Sequence, residues 1–598
     1  MERATHLGHA HHDPSGRWIN NPTPDVGEVV RVEVEAPRAQ AVSLRFVRDG
    51  EAFWHDAEKT SDGSWFFNLP CTQAVVGYRF LVQDDAGDRW LTAAGEINWD
   101  PPDMWDFKLL VGRKTPPWVP STVWYQIFPD RFATSGRHRI ENDWAQWCNW
   151  DAPISSAYAM TQMYGGDLDG IVEHLDHISD LGISGIYLTP VFPARSNHRY
   201  DAASFDHVDP ILGGDAALAR LSAAAAEREI RVMTDLTLNH TGDQHEWFTA
   251  AQADANSVEA GWYHFVNHPD QYESWLNVPS LPKLNHRSNS LRRRLYDGPD
   301  SVLAHYLQPP FNMSGWRIDV ANMTGRLGML DLNHEVARIA RRTMEEIDPE
   351  LWLVGEHFHD AIPDTPGNGW HGVMNYGGVS RPIVSWLGKS EQLVSMTPGP
   401  GIAARNGVQV AKTMDAVRGG LPWQVTVGSM SLLASHDTAR WRSLARTDEL
   451  SFVGVGMLMM LPGAPTFFYG DEVGLEGTDN ETSRAPMPWN SGKWDTRFTD
   501  WYRSIIAVRN SHAALSAGGF RWIDVRLDAL TFLRETQDER VLIRAARAST
   551  PPVALDTDLL GARRLTGILN AQNLTENSSG VISLPGDGPA LSAWKVER

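Results

Sequence analysis

The chain has 598 residues, too many for a single core, so roughly two to four domains are expected. Hydrophobic residues make up 42% and charged residues 21%, the profile of an ordinary globular protein, and the formal net charge is −21. That acidity excludes nucleic acid and anionic membrane as partners, because both require clustered Lys and Arg.

In chain order, His6, His9, His11 and His12 crowd the start and read as a frayed terminus rather than a metal site. Met1 to Trp18 holds no apolar stretch typical of a secretory signal, and no run of about 18 apolar residues follows anywhere, so a cytoplasmic location is expected. The two cysteines, Cys71 and Cys148, lack CxxC or metal-finger spacing; a disulfide framework is excluded and a single bridge is left open. The 25 Trp residues suit stacking on sugar rings, but most are expected in cores and interfaces.

Residues 1–115 alternate short β-type runs with turn clusters. Val29–Val34, Ala41–Phe46 and Val76–Leu81 are separated by Asp49-Gly50, Asp62-Gly63 and Asp85-Ala86-Gly87, a period-2 pattern that predicts a β-sandwich. Pro101-Pro102 and Pro116-Pro117 mark a boundary. Over 120–512 the texture changes to strand–loop–helix units. Strands are predicted at Val123–Ile127, Gly185–Thr189, Val232–Leu236, Trp316–Asp319, Leu351–Val354, Gly372–Tyr376, Met430–Leu433 and Thr466–Tyr469, with helices such as Ala216–Glu229 and Leu332–Ile347 between them. That is the signature of an α/β fold of the (β/α)8 TIM-barrel type. Residues 241–305 are predicted as a subdomain inserted after the third strand, and 513–598 as a second all-β module, a C-terminal β-sandwich.

Four predicted strand ends carry polar groups where apolar runs should continue. Arg317 and Asp319 are two apart on one strand and so leave the same face, where the guanidinium is expected to lower the carboxyl pKa and keep it ionised. Glu356 follows the apolar Leu353-Val354-Gly355, a setting that raises a pKa and readies an acid to protonate a leaving oxygen. Asp437, in Ser435-His436-Asp437, adds a third acid that raises the pKa of Glu356 by repulsion if the two are close, while His436 could donate to a sugar hydroxyl. Asp235 and Asn239-His240 close the third strand. Any one of these reads equally well as a structural pair; together they indicate chemistry at one barrel rim, and two carboxylates facing one bond are the minimum for splitting a glycoside.

The segments Asp235–His240, Gly315–Asp319, Gly355–Phe358 and Ser435–Asp437 resemble the four signature regions of the α-amylase family of glycoside hydrolases. Tyr125–Phe132, Tyr164–Ile171, Leu281–Asn285 and Tyr469–Leu475 are similar to its neopullulanase, cyclomaltodextrinase and maltodextrin glucosidase branch. The resemblance implies Asp319 as nucleophile, Glu356 as general acid/base and Asp437 as transition-state stabiliser. It places Tyr200, His240, Arg317, His436, Phe358 and Arg484 around the substrate. It implies retention of configuration, with the two reacting carboxyls about 5–5.5 Å apart. It also implies an oligosaccharide substrate, no required cofactor, and a homodimer in which the N-terminal domain covers a neighbour's site.

Several positions depart from the branch. Asn480 stands where relatives often carry Asp, Met323 where many neopullulanases have Glu, and the loop after Phe132 lacks the Asn/Asp cluster that often holds calcium; Asp167 alone is no cage, although calcium is left open. The resemblance points to a hydrolase of short linear or cyclic maltodextrins, with α-1,6 joints among the bonds cut. A transglycosylase or isomerase of the same fold is the nearer alternative. A non-catalytic carbohydrate-binding or transport subunit is the distant one, since such members lose the carboxylates present here. A starch-binding role for residues 1–115 through Trp18, Trp54 and Trp65 is set against core or interface packing.

Overall fold

A computed structural model describes residues 2–60, 64–389 and 401–597. Its centre is a parallel barrel whose strands are β1 (Trp124–Ile127), β2 (Gly185–Leu188), β3 (Arg231–Thr237), β4 (Gly315–Asp319), β5 (Trp352–Gly355), β6 (Gly372–Val373), β7 (Met430–Leu432) and β8 (Ala464–Phe468). Each pairs in parallel with its sequence neighbours, β8 returns to β1, and a parallel bridge from Met374 to Met430 joins the sixth strand to the seventh. All eight predicted strands are present, and the fold is the expected TIM barrel.

The barrel strands are buried on both sides, which explains why they read as nearly continuous apolar runs. Close strand approach dictates Gly315: a Cβ there would sit 2.0 Å from the Trp352 carbonyl oxygen. Tryptophans pack between the barrel strands and the elements around them. Trp124, Trp316, Trp352, Trp370, Trp386 and Trp441 are essentially inaccessible, and Trp352 packs at 5.1 Å, tilted by 33°, on Trp124 while donating to the Gly428 carbonyl. By area, each such burial is worth about 4–6 kcal/mol. The outer helices include Gly214–Ala226, Asn333–Ile347, Asp448–Met460 and Thr496–Ser511. Between β3 and β4 lie the helices Glu246–Ala253 and Asn289–Leu295 and a small hairpin, Phe265–Asn267 with Gln271–Tyr272.

Before the barrel, two antiparallel sheets face each other across Val30, Val32, Leu44, Phe46, Phe67, Tyr78 and Phe80. Alternation delivers this core: Val29–Val34 buries every second residue. Asp49 and Gly50, at φ 53° and 85°, form the tight turn joining Ala41–Arg48 to Glu51–Asp56. The predicted turn at Asp62-Gly63 lies outside the described residues. After the barrel, a six-stranded antiparallel sheet and a smaller three-stranded one share a core of Leu533, Leu542, Val553, Ile582 and Trp594.

The His-rich start is not frayed. Glu2–Arg3 pairs in parallel with Val553–Asp556 of the last module, and His12 is buried among Tyr78, Phe80 and Phe107 of the first. Asp13 accepts from the Phe520 backbone N–H, so this segment staples the two β-modules together. Trp18 and Trp65 are core residues, whereas Trp54 is half exposed. Cys71 and Cys148 are both free thiols. Among the described residues no helix is long and apolar enough to cross a membrane.

Candidate active site

Arg317 is the hub of the carboxyl rim. From the middle of β4 its guanidinium is fully buried, donating from Nη1 to Asp235 Oδ2 at 2.7 Å and to Asp319 Oδ1 at 2.9 Å. Nη2 lies 2.8 Å from Glu356 Oε1, without hydrogen-bond alignment, and 3.9 Å from Asp437 Oδ2. Thus the carboxylates of Asp235 within β3, Asp319 at the end of β4, Glu356 just after β5 and Asp437 on the loop after β7 converge on one cation. Asp319, Glu356 and Asp437 are each less than 10% exposed.

The remaining side chains close around this cluster. Tyr200 donates to Asp235 Oδ2 at 2.8 Å, shares a 2.6 Å hydrogen bond with His436 Nε2 and stacks on the His436 ring at 11°. Both His436 nitrogens are engaged, the other with Gln126 at 2.8 Å, so in this arrangement it holds Tyr200 in place. Arg484 donates to the His436 carbonyl at 2.9 Å and lies 3.5 Å from Asp437 Oδ1. His240 Nε2 is 4.0 Å from Asp319 Oδ2 and has no hydrogen-bond partner, a buried polar atom facing the reacting carboxylate. Phe358 sits further out, half buried and stacked at 4.2 Å on Tyr376. Of the nine residues the resemblance placed at the site, Arg317 stands within β4 and the other eight lie at the carboxyl end of the barrel strands or on the loops that follow them.

Other contributors escaped the sequence reading. Tyr187 on β2 donates to Asp235 at 2.6 Å, and Met374 offers its sulfur to Arg317 Nε at 3.4 Å. Lys283 reaches in from the long β3–β4 insertion to donate to Asn239 Oδ1 at 2.5 Å. A hydroxyl inside an apolar strand and a lysine inside Leu281-Pro282-Lys283-Leu284 were the available signals. The last contributor carries none: the Val320 backbone N–H donates to Glu356 Oε2 at 2.7 Å, from a residue at φ +46°. A β-branched residue in the left-handed region is strained, by roughly 1–3 kcal/mol, and here the strain aims a donor at an acid.

Charge counting explains the electrostatics and corrects one expectation. Asp235, Asp319, Glu356 and Asp437 share only Arg317 and Arg484, and burial pushes all four carboxyl pKa values upward. Asp319 is raised by burial and then by the Glu356 charge; Arg317 opposes but does not win, because its charge is divided. Glu356 is raised by burial, with Asp437 adding and Arg317 and the Val320 N–H opposing. The cluster thus retains protons that isolated carboxylates would shed, and it titrates as a group. His240 contributes no positive charge, since burial, then Lys283, brings it down to about 3.

Among the described residues no cation cage is present. Asp167 spends Oδ1 on the Gly170 N–H and Oδ2 on Ser135, and among the described residues no three His, Cys, Asp or Glu gather as metal ligands.

A closed parallel barrel with carboxylates gathered around a buried arginine at its carboxyl rim is the layout of a barrel enzyme that cleaves glycosides. The alpha amylase catalytic-domain model matches residues 126–518. A cyclomaltodextrinase of Geobacillus thermopakistaniensis is 31% identical over 80% of this chain and 78% of its own length. An intracellular maltogenic amylase of Bacillus subtilis is 28% identical over 86% and 87%. Among solved structures, the cyclic α-maltosyl-(1→6)-maltose hydrolase of Arthrobacter globiformis, in complex with that sugar, superposes with a TM-score of 0.65 at 28% identity, covering 81% of this chain and 100% of its own. The chain belongs to the α-amylase family and is a glycoside hydrolase.

Proposed function

We propose that this enzyme hydrolyses α-1,4 linkages, and α-1,6 linkages beside them, in short linear or cyclic maltooligosaccharides, with retention of configuration. The convergence of Asp319, Glu356 and Asp437 on Arg317 carries the reading. Asp319, held at Oδ1 by an aligned hydrogen bond, attacks the anomeric carbon. Glu356 delivers its proton to the leaving oxygen, then removes one from the water that releases the sugar. Asp437 opposes the positive charge developing on the ring, and Tyr200 forms the floor of the site. Relatives named for cyclomaltodextrin, maltogenic and cyclic maltosyl-maltose activities support the substrate class. The exposed Trp54, Trp99 and Met104 before the barrel, and Leu276 and Met329 on rim loops, support a homodimer that narrows access to small substrates. The relative named intracellular supports a cytoplasmic location.

The test combines chromatography of products from maltotriose, a cyclodextrin and pullulan with proton NMR of the first-formed anomer. An α-anomer released from the small sugars fits the reading; a β-anomer, or transfer products alone, overturns it.

A further inference from the structure

A second cluster of charged side chains lies beside Glu356, and the mechanism just described leaves it without a task. The loop that follows β4 carries Arg326, whose guanidinium grips Asp364 with two bonds, Nη1 to Oδ2 at 2.8 Å and Nη2 to Oδ1 at 2.6 Å. Asp364 belongs to the loop after β5 and also meets His357 Nε2 at 3.1 Å, with His334 at 3.8 Å. His357 is the residue next to Glu356, and its ring lies against Gly355, where a Cβ would meet Cε1 at 3.2 Å. Arg326 further donates from Nη1 to the Asn322 carbonyl at 2.7 Å and from Nε to Asp331 at 3.0 Å. Arg326 therefore fixes the same short loop, 320–326, whose first residue is the strained Val320 donating to Glu356.

We propose that Arg326 and Asp364 are positioning residues for the acid/base step, clamping the β4 loop to the β5 loop through His357 so that the Val320 N–H stays on Glu356. The strain at Val320 is the reason a clamp is needed: a β-branched residue released from φ +46° relaxes to negative φ and swings the loop beyond it, which frees the Asp319–Val320 peptide to turn its N–H off Glu356. The reason it matters is chemical. Glu356 must be protonated in the first half-reaction and ionised in the second, so its proton affinity has to lie between extremes. Burial and Asp437 hold it high, Asp319 adds another negative charge, and Tyr376 packs nearby without offering a cation. On the opposing side stand Arg317 and the Val320 N–H, with His357 flanking. Losing the N–H tips Glu356 toward its protonated form and slows release of the sugar.

The inference rests on Glu356 being the acid/base, so Glu356→Gln is measured alongside. Arg326 is partly exposed, and Arg326→Gln removes both the clamp and a positive charge, which act in the same direction. The pH profile of kcat/KM on maltotriose should then show its alkaline limb moved upward by roughly half to one pH unit, and kcat should fall about tenfold with KM falling alongside it, because the slowed step follows formation of the covalent intermediate. Arg326→Lys, which restores one arm of the grip, should recover part of the shift. An unmoved alkaline limb in both Arg326 variants, with only the melting temperature lowered, would overturn the clamp. If Glu356→Gln loses as much on an activated aryl glucoside as on maltotriose, the acid/base reading fails instead, and the two failures are told apart.

Discussion

At the scale of the residue, the site is a problem of too many carboxylates for its cations. Arg317 answers it by geometry, since a planar fork can face several acids where a lysine can face one or two. Arg317→Lys is therefore expected to cut kcat by at least about a thousandfold and to destabilise the fold by roughly 3–5 kcal/mol, because buried charges are left unpaired. Chemical denaturation paired with steady-state kinetics checks both, and a variant with wild-type stability would show that Arg317 is not the counter-charge. Asp319→Asn keeps the shape and the hydrogen bond from Arg317 but removes the nucleophile; hydrolysis should drop by several orders of magnitude at a melting temperature no lower than that of the parent, because one excess buried carboxylate is gone. Asn480 now has a structural setting: it opens a short helix capped by Asp479, beside the Glu481–Arg484 pair. If it bounds the substrate cleft, Asn480→Asp should alter the ratio of rates on maltose and maltotetraose.

At the scale of the element, the N-terminal segment gives the sharpest expectation. His12 docks neutral, brought down to about 3 by burial, so an undocked chain binds a proton that the docked one refuses below the ordinary value of 6.5. Asp13 is opposed by burial, yet the neighbouring His11 ring and Ser15 hold it to about 2; its docking contribution is complete above 3.8 and fades as pH falls toward 2. Both signs agree. Docking should weaken as pH drops from 7 toward 4, with His12 acting first, and hydrogen exchange of residues 2–16 should quicken before that of the barrel strands. Exchange that stays flat over this range would mean another contact dominates the staple. The sequence showed four histidines here and suggested a loose end, because the aromatic cage of Tyr78, Phe80 and Phe107 comes from strands more than 60 positions away.

At the scale of the whole molecule, the barrel gathers onto one rim groups scattered from Gln126 to Arg484. Because Asp167 is committed to capping and no ligand cluster gathers among the described residues, chelation is expected to leave melting temperature and rate unchanged; a fall in either with EDTA, reversed by calcium, would reveal a site formed otherwise. The order and type of the eight barrel strands were legible in the sequence, since a strand buried on both faces must be an apolar run bounded by loops. So were the acids at 319, 356 and 437, because each interrupts such a run with a charge. What the sequence could not carry was the sharing: that one guanidinium serves four carboxylates, that burial outweighs its pull on Asp319, and that a backbone N–H from a strained valine reaches Glu356. Chemistry-bearing residue types are a property of the chain, whereas proton affinities depend on distances and burial that exist only once distant strands have closed into a barrel.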